Sequence, residues 1–222
     1  MPPHRRTVAA RLPQTRTAFA ATAAAVLALT LLVFVIQSND QSNASPSGGF
    51  PPASVNADSA QEAQDLSELD KTFLTKVRQA NLWEAPAADL AETHSSSLAV
   101  KRAGRHMVDG HSRLDQLVRE GAARLGVQLP NQASAEQQEW LAELKNLHGA
   151  EFDHRFAQVL RLAHSQIFPV IAQVRVTTKS ETVRAFAIEV NQAVLDHLRV
   201  LDDTGLVEDA TLDEIASSVL TK

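Results

Sequence analysis

Apolar side chains recur at helical spacing in four segments between residues 66 and 202. The first stripe is Leu69, Phe73, Val77, Ala80, Glu84, Ala87 and Ala91. Its steps of three and four residues keep one face of an α-helix toward a core. Ser67-Glu68-Leu69-Asp70 precedes it as a capping box with Asp in the place of Glu. Pro86 should kink the helix, because it removes the bond to the carbonyl of Leu82. A turn is expected at Ser95-Ser96-Ser97. The second stripe runs through Val100, Ala103, Met107, His111, Leu114, Val118, Ala122 and Leu125, and Gly126 and Pro130 end it.

Residues 127–149 read as a connection long enough to cross a bundle, with a short helix from Ala135 to Leu147 closed by Gly149. The third stripe is Phe152, Phe156, Leu160, His164, Ile167, Ile171 and Val174, with a kink expected at Pro169. The fourth is Val183, Phe186, Val190, Val194, His197 and Leu201. Residues 204–222 form an amphipathic tail carrying Leu212, Ile215, Val219 and Leu220. The fold class predicted is all-α, a four-helix bundle over 66–203.

The N-terminus has a different pattern. Residues 17–36 carry no charge, and twenty helical residues span ~30 Å, the hydrocarbon thickness of a bilayer. Arg5, Arg6, Arg11 and Arg16 precede them in a basic tail, residues 1–16. The positive-inside rule leaves those arginines cytoplasmic and exports the chain beyond residue 36. The expectation is a single-pass signal anchor in membrane lipid. The alternative is secretion after cleavage of a signal peptide, against which the long apolar run and the poor site at Val35-Ile36-Gln37 argue. Residues 37–65, rich in Ser, Asn, Pro and Gly, read as a flexible linker.

Composition sharpens the picture in two places. The chain has no cysteine, which excludes disulfides, thiolate ligands and a cysteine nucleophile. Of 21 Lys and Arg, 4 precede residue 37, so the exported part holds 17 against 26 Asp and Glu, a net charge of −9. Such a domain gains nothing from phosphate electrostatics, so no nucleic-acid partner is expected. An envelope protein is the partner class that fits an exported, acidic bundle.

Each apolar stripe carries one ionisable residue: Glu84, His111, His164 and His197. Counted from the helix ends at ~1.5 Å per residue, all four fall near mid-bundle. A carboxylate and three imidazoles in one core must be paired, protonated or metal-bound. The residues leave two readings open. In one, they form a buried polar network that fixes helix register in a non-catalytic binding or structural module. In the other, they bind one divalent ion such as Zn, Cu or Fe, in a metal-binding protein or metalloenzyme. Asp153 is expected to support that face or to pair with Arg155 or Arg161. The remaining histidines, His94, His106, His148 and His154, lie mostly off the stripes and read as solvated. Trp83 and Trp140 read as packing residues. A standard di-iron oxidase or ferroxidase site is not expected, since the carboxylate count falls short and the single Glu-x-x-His, Glu151 to His154, opens the third helix.

These residues resemble a bacterial family, domain of unknown function 4142, which is placed with the ferritin-like four-helix proteins. The stretches that carry the resemblance are Phe73-Leu74, Glu84, Met107-Val108 before His111, and Gly126-Val127 before Leu129-Pro130. Gly149, Phe152-Asp153, His164, Phe186-Ala187 and His197-Leu198 complete them, over about residues 69–201. The resemblance implies a ferritin-like fold and an exported or membrane-anchored protein. It implies no reaction. Such proteins commonly carry an acid immediately before the second-helix histidine, whereas this chain reads Asp109-Gly110-His111. Moving the acid back one position turns it about 100° around the helix. Gly110 should also weaken that helix by ~1 kcal/mol relative to Ala.

Overall fold

A computed structural model describes residues 57–220. The basic tail, the expected transmembrane helix and the linker as far as residue 56 lie outside the described residues. Among the described residues there are eight helices and no strand. None of these helices is long and apolar enough to cross a membrane.

The helices are α1 (Ala57–Gln64), α2 (Glu68–His94), α3 (Leu98–Leu125), α4 (Ala135–Leu144), α5 (Gly149–Gln166), α6 (Phe168–Thr177), α7 (Glu181–Asp202) and α8 (Asp209–Leu220). The four expected helices are present as α2, α3, α5 with α6, and α7. Ser67 caps α2 through a full capping box with Asp70. Gly126 closes α3 in the left-handed conformation, φ +66°, which a side chain would disfavour.

The two prolines act differently. Pro86 lies on the exposed face of α2, which continues through it as one helix to His94. Pro169 ends a helix: α5 stops at Gln166 and α6 begins at Phe168, with the proline in its first turn. There the absent N–H is one of the helix's unpaired donors in any case. Gly149 does not close the short helix, which ends at Leu144. At φ +59° it instead opens α5.

Asp153 near the start of α5 bonds to Ser95 and Ser96 in the α2–α3 turn. The chain leaving α3 at the opposite end therefore crosses the length of the bundle through α4 before α5 begins. Thus α2 and α7 run one way, α3 and α5 the other, with one long crossover.

Part of the segment expected as linker is α1. Its Glu62 accepts from the Glu181 amide and the Ser180 and Thr182 hydroxyls, satisfying the N-terminus of α7. The C-terminal tail is also docked. Gln158 of α5 donates to the Leu206 carbonyl and accepts from the Glu208 amide and Thr211 hydroxyl, while His154 meets Glu208 at 2.8 Å.

The apolar interior consists of two clusters. One joins Phe73, Val77, Leu114, Val118 and Ile171 to the first half of α7. The other joins Trp83, Ala87, Ala91, Met107, Phe152, Phe156, Leu160 and Leu201. Each of α2, α3 and α7 passes from one cluster to the other, and the polar residues sit at the seam.

Candidate metal centre

Glu84, His111, His164 and His197 are contributed by α2, α3, α5 and α7 and are all buried, with at most 4% of their surface exposed. Helical spacing explains the convergence. Each residue occupies a core position of its own stripe, so folding the bundle turns all four inward.

Glu84 Oε2 lies 3.0 Å from His111 Nε2 and 3.2 Å from His164 Nε2. His164 Nε2 lies 3.0 Å from His197 Nδ1. One nitrogen from each histidine falls within 4.8 Å of the other two. The structure therefore brings together all four residues that the sequence singles out.

The protons can be assigned from the partners. The Leu160 carbonyl, 2.8 Å from His164 Nδ1, can only accept, so His164 carries its proton there and presents a lone pair at Nε2. His111 Nδ1, 3.0 Å from Asn81 Oδ1, donates to that amide oxygen and leaves Nε2 unprotonated. His111 Nε2 has no hydrogen-bond partner, because its contact with Glu84 is close but poorly aligned for N–H···O.

Electrostatics agree with neutral rings. Burial pushes the His164 and His197 imidazoles below their ordinary range. For His164 the Glu84 carboxylate only partly offsets this; for His197 the neighbouring histidines add to it. Burial raises the Glu84 carboxyl, but attraction to His164 and His111, which acts when those rings carry a second proton, more than offsets it and holds Glu84 below the usual carboxylate range.

This donor set fits a metal ion. Tetrahedral donors at zinc–nitrogen bond lengths lie roughly 3.3 Å apart; three donor contacts here are at 3.0–3.2 Å, and the three histidine nitrogens lie within 4.8 Å of one another. The Leu160 carbonyl and Asn81 amide hold two rings by their outer nitrogens, as histidine ligands are usually held.

Two contributors were not singled out in the sequence. Asn81 precedes Glu84 by three residues, on the same face of α2, and that i, i+3 spacing is the signal that could have found it. Gly110 is the other. A Cβ at that position would lie 2.3 Å from His197 Nε2 and 2.9 Å from its Cε1. The glycine expected to be only a weak point of α3 is the notch that admits the His197 ring.

Asp153 is no part of the centre, since its bonds go to the α2–α3 turn. Arg155 pairs with Glu143 and Arg161 with Asp202. Of the other histidines, His94 and His148 stack with centroids 4.3 Å apart, His154 pairs with Glu208, and exposed His106 meets His197 edge to face with ring centroids 5.7 Å apart. Trp83 packs on Trp140 at 5.3 Å, as a core residue would.

Fold and site together define an all-helical bundle with a carboxylate and three imidazoles at the seam of its core. The chain belongs to the family described as Domain of unknown function (DUF4142), whose model matches residues 55–203 and so takes in α1 as well as the bundle. No curated protein and no solved structure matches it.

Proposed function

We propose that this protein is a metal-binding bundle whose Glu84, His111, His164 and His197 hold one divalent transition-metal ion. The observation that carries this is the contact between Glu84 Oε2 and His164 Nε2, 3.2 Å apart. When the His164 ring is neutral, its one proton is committed to Leu160, and an ionised Glu84 finds none at Nε2 to share. Two buried lone pairs at that distance repel, and a cation between them turns repulsion into coordination. Three imidazoles with one carboxylate suit Zn, Cu or Fe.

A metal-free polar network is the competing reading, and the His164–His197 bond favours it. It leaves the Glu84–His164 contact unsatisfied and His111 Nε2 without a partner. The uncharged run at 17–36 behind four arginines supports a single-pass anchor, and the family resemblance supports a ferritin-like bundle displayed outside the cytoplasm. The role proposed there is metal binding within an envelope module, with no reaction assigned.

The test is thermal unfolding of the chelator-treated chain with and without added Zn²⁺ or Cu²⁺. A ligand at a hundred times its Kd stabilises by ~2.7 kcal/mol, so the midpoint should rise by several degrees. The rise should vanish in His164→Ala. An unchanged midpoint, or one that rises equally in the variant, would sink the proposal.

A further inference from the structure

Beside the four donors lies a cavity of ≈ 290 Å³. Glu84, His111, His164 and His197 are in its lining, and so is Asn81. The remaining wall is part aliphatic, with Val77, Ala80, Leu114 and Ile167, and part polar, with Gln79, Gln137 and Gln166. Exposed Lys76 and Glu136 also line it, with opposite charges. An ion held by the four residues would therefore border a space open on its other side.

Two features of that space call for the same occupant. The first is charge. A divalent ion with one carboxylate and three neutral imidazoles leaves a net charge of +1 in a buried site, which is costly unless a counter-charge lies close. The second is an unused donor. Asn81 is 5% exposed and gives its Oδ1 to His111, while its Nδ2 is buried without a partner. A monoanion with two oxygens answers both, with one oxygen on the metal and the other accepting from Asn81 Nδ2.

Resting on the metal reading above, we infer that this cavity binds a small monocarboxylate with an apolar body, its carboxylate adding a fifth donor to the metal and its tail against the aliphatic part of the wall. The aliphatic part of the lining favours an apolar body over strongly hydrated dianions such as sulfate.

The experiment uses the full chain loaded with Co²⁺, its stoichiometry measured first and its visible spectrum followed during titration with acetate, butyrate and sulfate. Failure to load overturns the metal reading itself. With metal bound, butyrate should perturb the spectrum at least as strongly as acetate and bind on the order of tenfold tighter, for two more buried methylenes. Sulfate should leave the spectrum unchanged. Asn81→Asp keeps an acceptor for His111 and removes the donor. Loaded with Co²⁺ at whatever concentration it requires, it should bind butyrate about tenfold or more weakly. Ala80→Leu fills the cavity and should abolish the preference for butyrate while keeping the metal. A loaded protein whose spectrum ignores butyrate, or one with equal affinities for acetate and butyrate, overturns the inference. Unchanged butyrate affinity in both variants does so too.

Discussion

Gly110→Ala separates a helix-propensity effect from a site effect. In the middle of an exposed helix this change stabilises by ~1 kcal/mol. Here the new methyl carbon would stand 2.3 Å from His197 Nε2 and 2.9 Å from Cε1, where ordinary contact begins at about 3.4 Å. The ring must retreat by about 1 Å, or α3 and α7 must part. Overpacking of this kind costs ~1–3 kcal/mol, so the net change in the metal-free protein should lie between about zero and 2 kcal/mol of destabilisation. Metal affinity should suffer far more. Ligand distances tolerate only ~0.2 Å, and disturbing even an outer-shell partner costs ~10–100-fold.

Gly104→Ala is the control. Its Cβ would meet the Ala88 carbonyl oxygen at 2.6 Å and Ala91 Cβ at 2.7 Å, so it should destabilise the α2–α3 contact. It lies two turns from the site and should leave metal affinity intact once folded. Urea unfolding of the metal-free proteins, paired with competitive metal titration of folded samples, reads both quantities. A Gly110→Ala protein more stable by ~1 kcal/mol with undiminished metal affinity would refute the placement of His197 as a ligand seated in that notch.

Other substitutions and conditions probe the same structure. Glu84→Gln should abolish metal binding yet stabilise the metal-free bundle by on the order of 1 kcal/mol, because its amide can donate to His164 Nε2; destabilisation on urea unfolding would favour the metal-free network. Metal-free stability should also depend on pH. His164 and His197 have folded pKa values below their unfolded 6.5, so the unfolded chain binds more protons below that pH and stability falls as pH drops through it. Glu84, also depressed, contributes stability above its unfolded value of 4.5 that is lost as pH falls through its folded pKa. A urea midpoint that stays flat from about pH 7.5 to 5 would contradict buried neutral imidazoles. Glu62→Ala should cost ~1 kcal/mol and speed exchange of the Glu181 amide, which donates to it at the start of α7. Unaltered exchange there would show that α1 does not cap that helix.

Much of this arrangement was legible in the sequence. The stripes located α2, α3, α5 and α7 because a three-and-four spacing buries one face whatever the partner. The same periodicity puts Glu84, His111, His164 and His197 on the inner face without reference to any contact. What it could not give was set by distance in sequence. The role of Gly110 depends on a ring 87 positions away, and Asp153 chose a turn 57–58 residues earlier over the arginines beside it. Composition also misjudged residues 57–64, since the polar helix there is held by Glu62 against the start of α7 rather than by an apolar face. Pro86 and Pro169 had the same local signature, yet one lies within a continuous helix and the other opens one.

Metal content by elemental mass spectrometry, on the full chain purified without a histidine tag, bears most directly on the proposed centre. About one Zn, Cu or Fe per chain is expected, falling to background in His111→Ala and His197→Ala while helical content persists. A folded wild-type protein that carries no metal, and takes up none when each ion is offered after chelation, would contradict it.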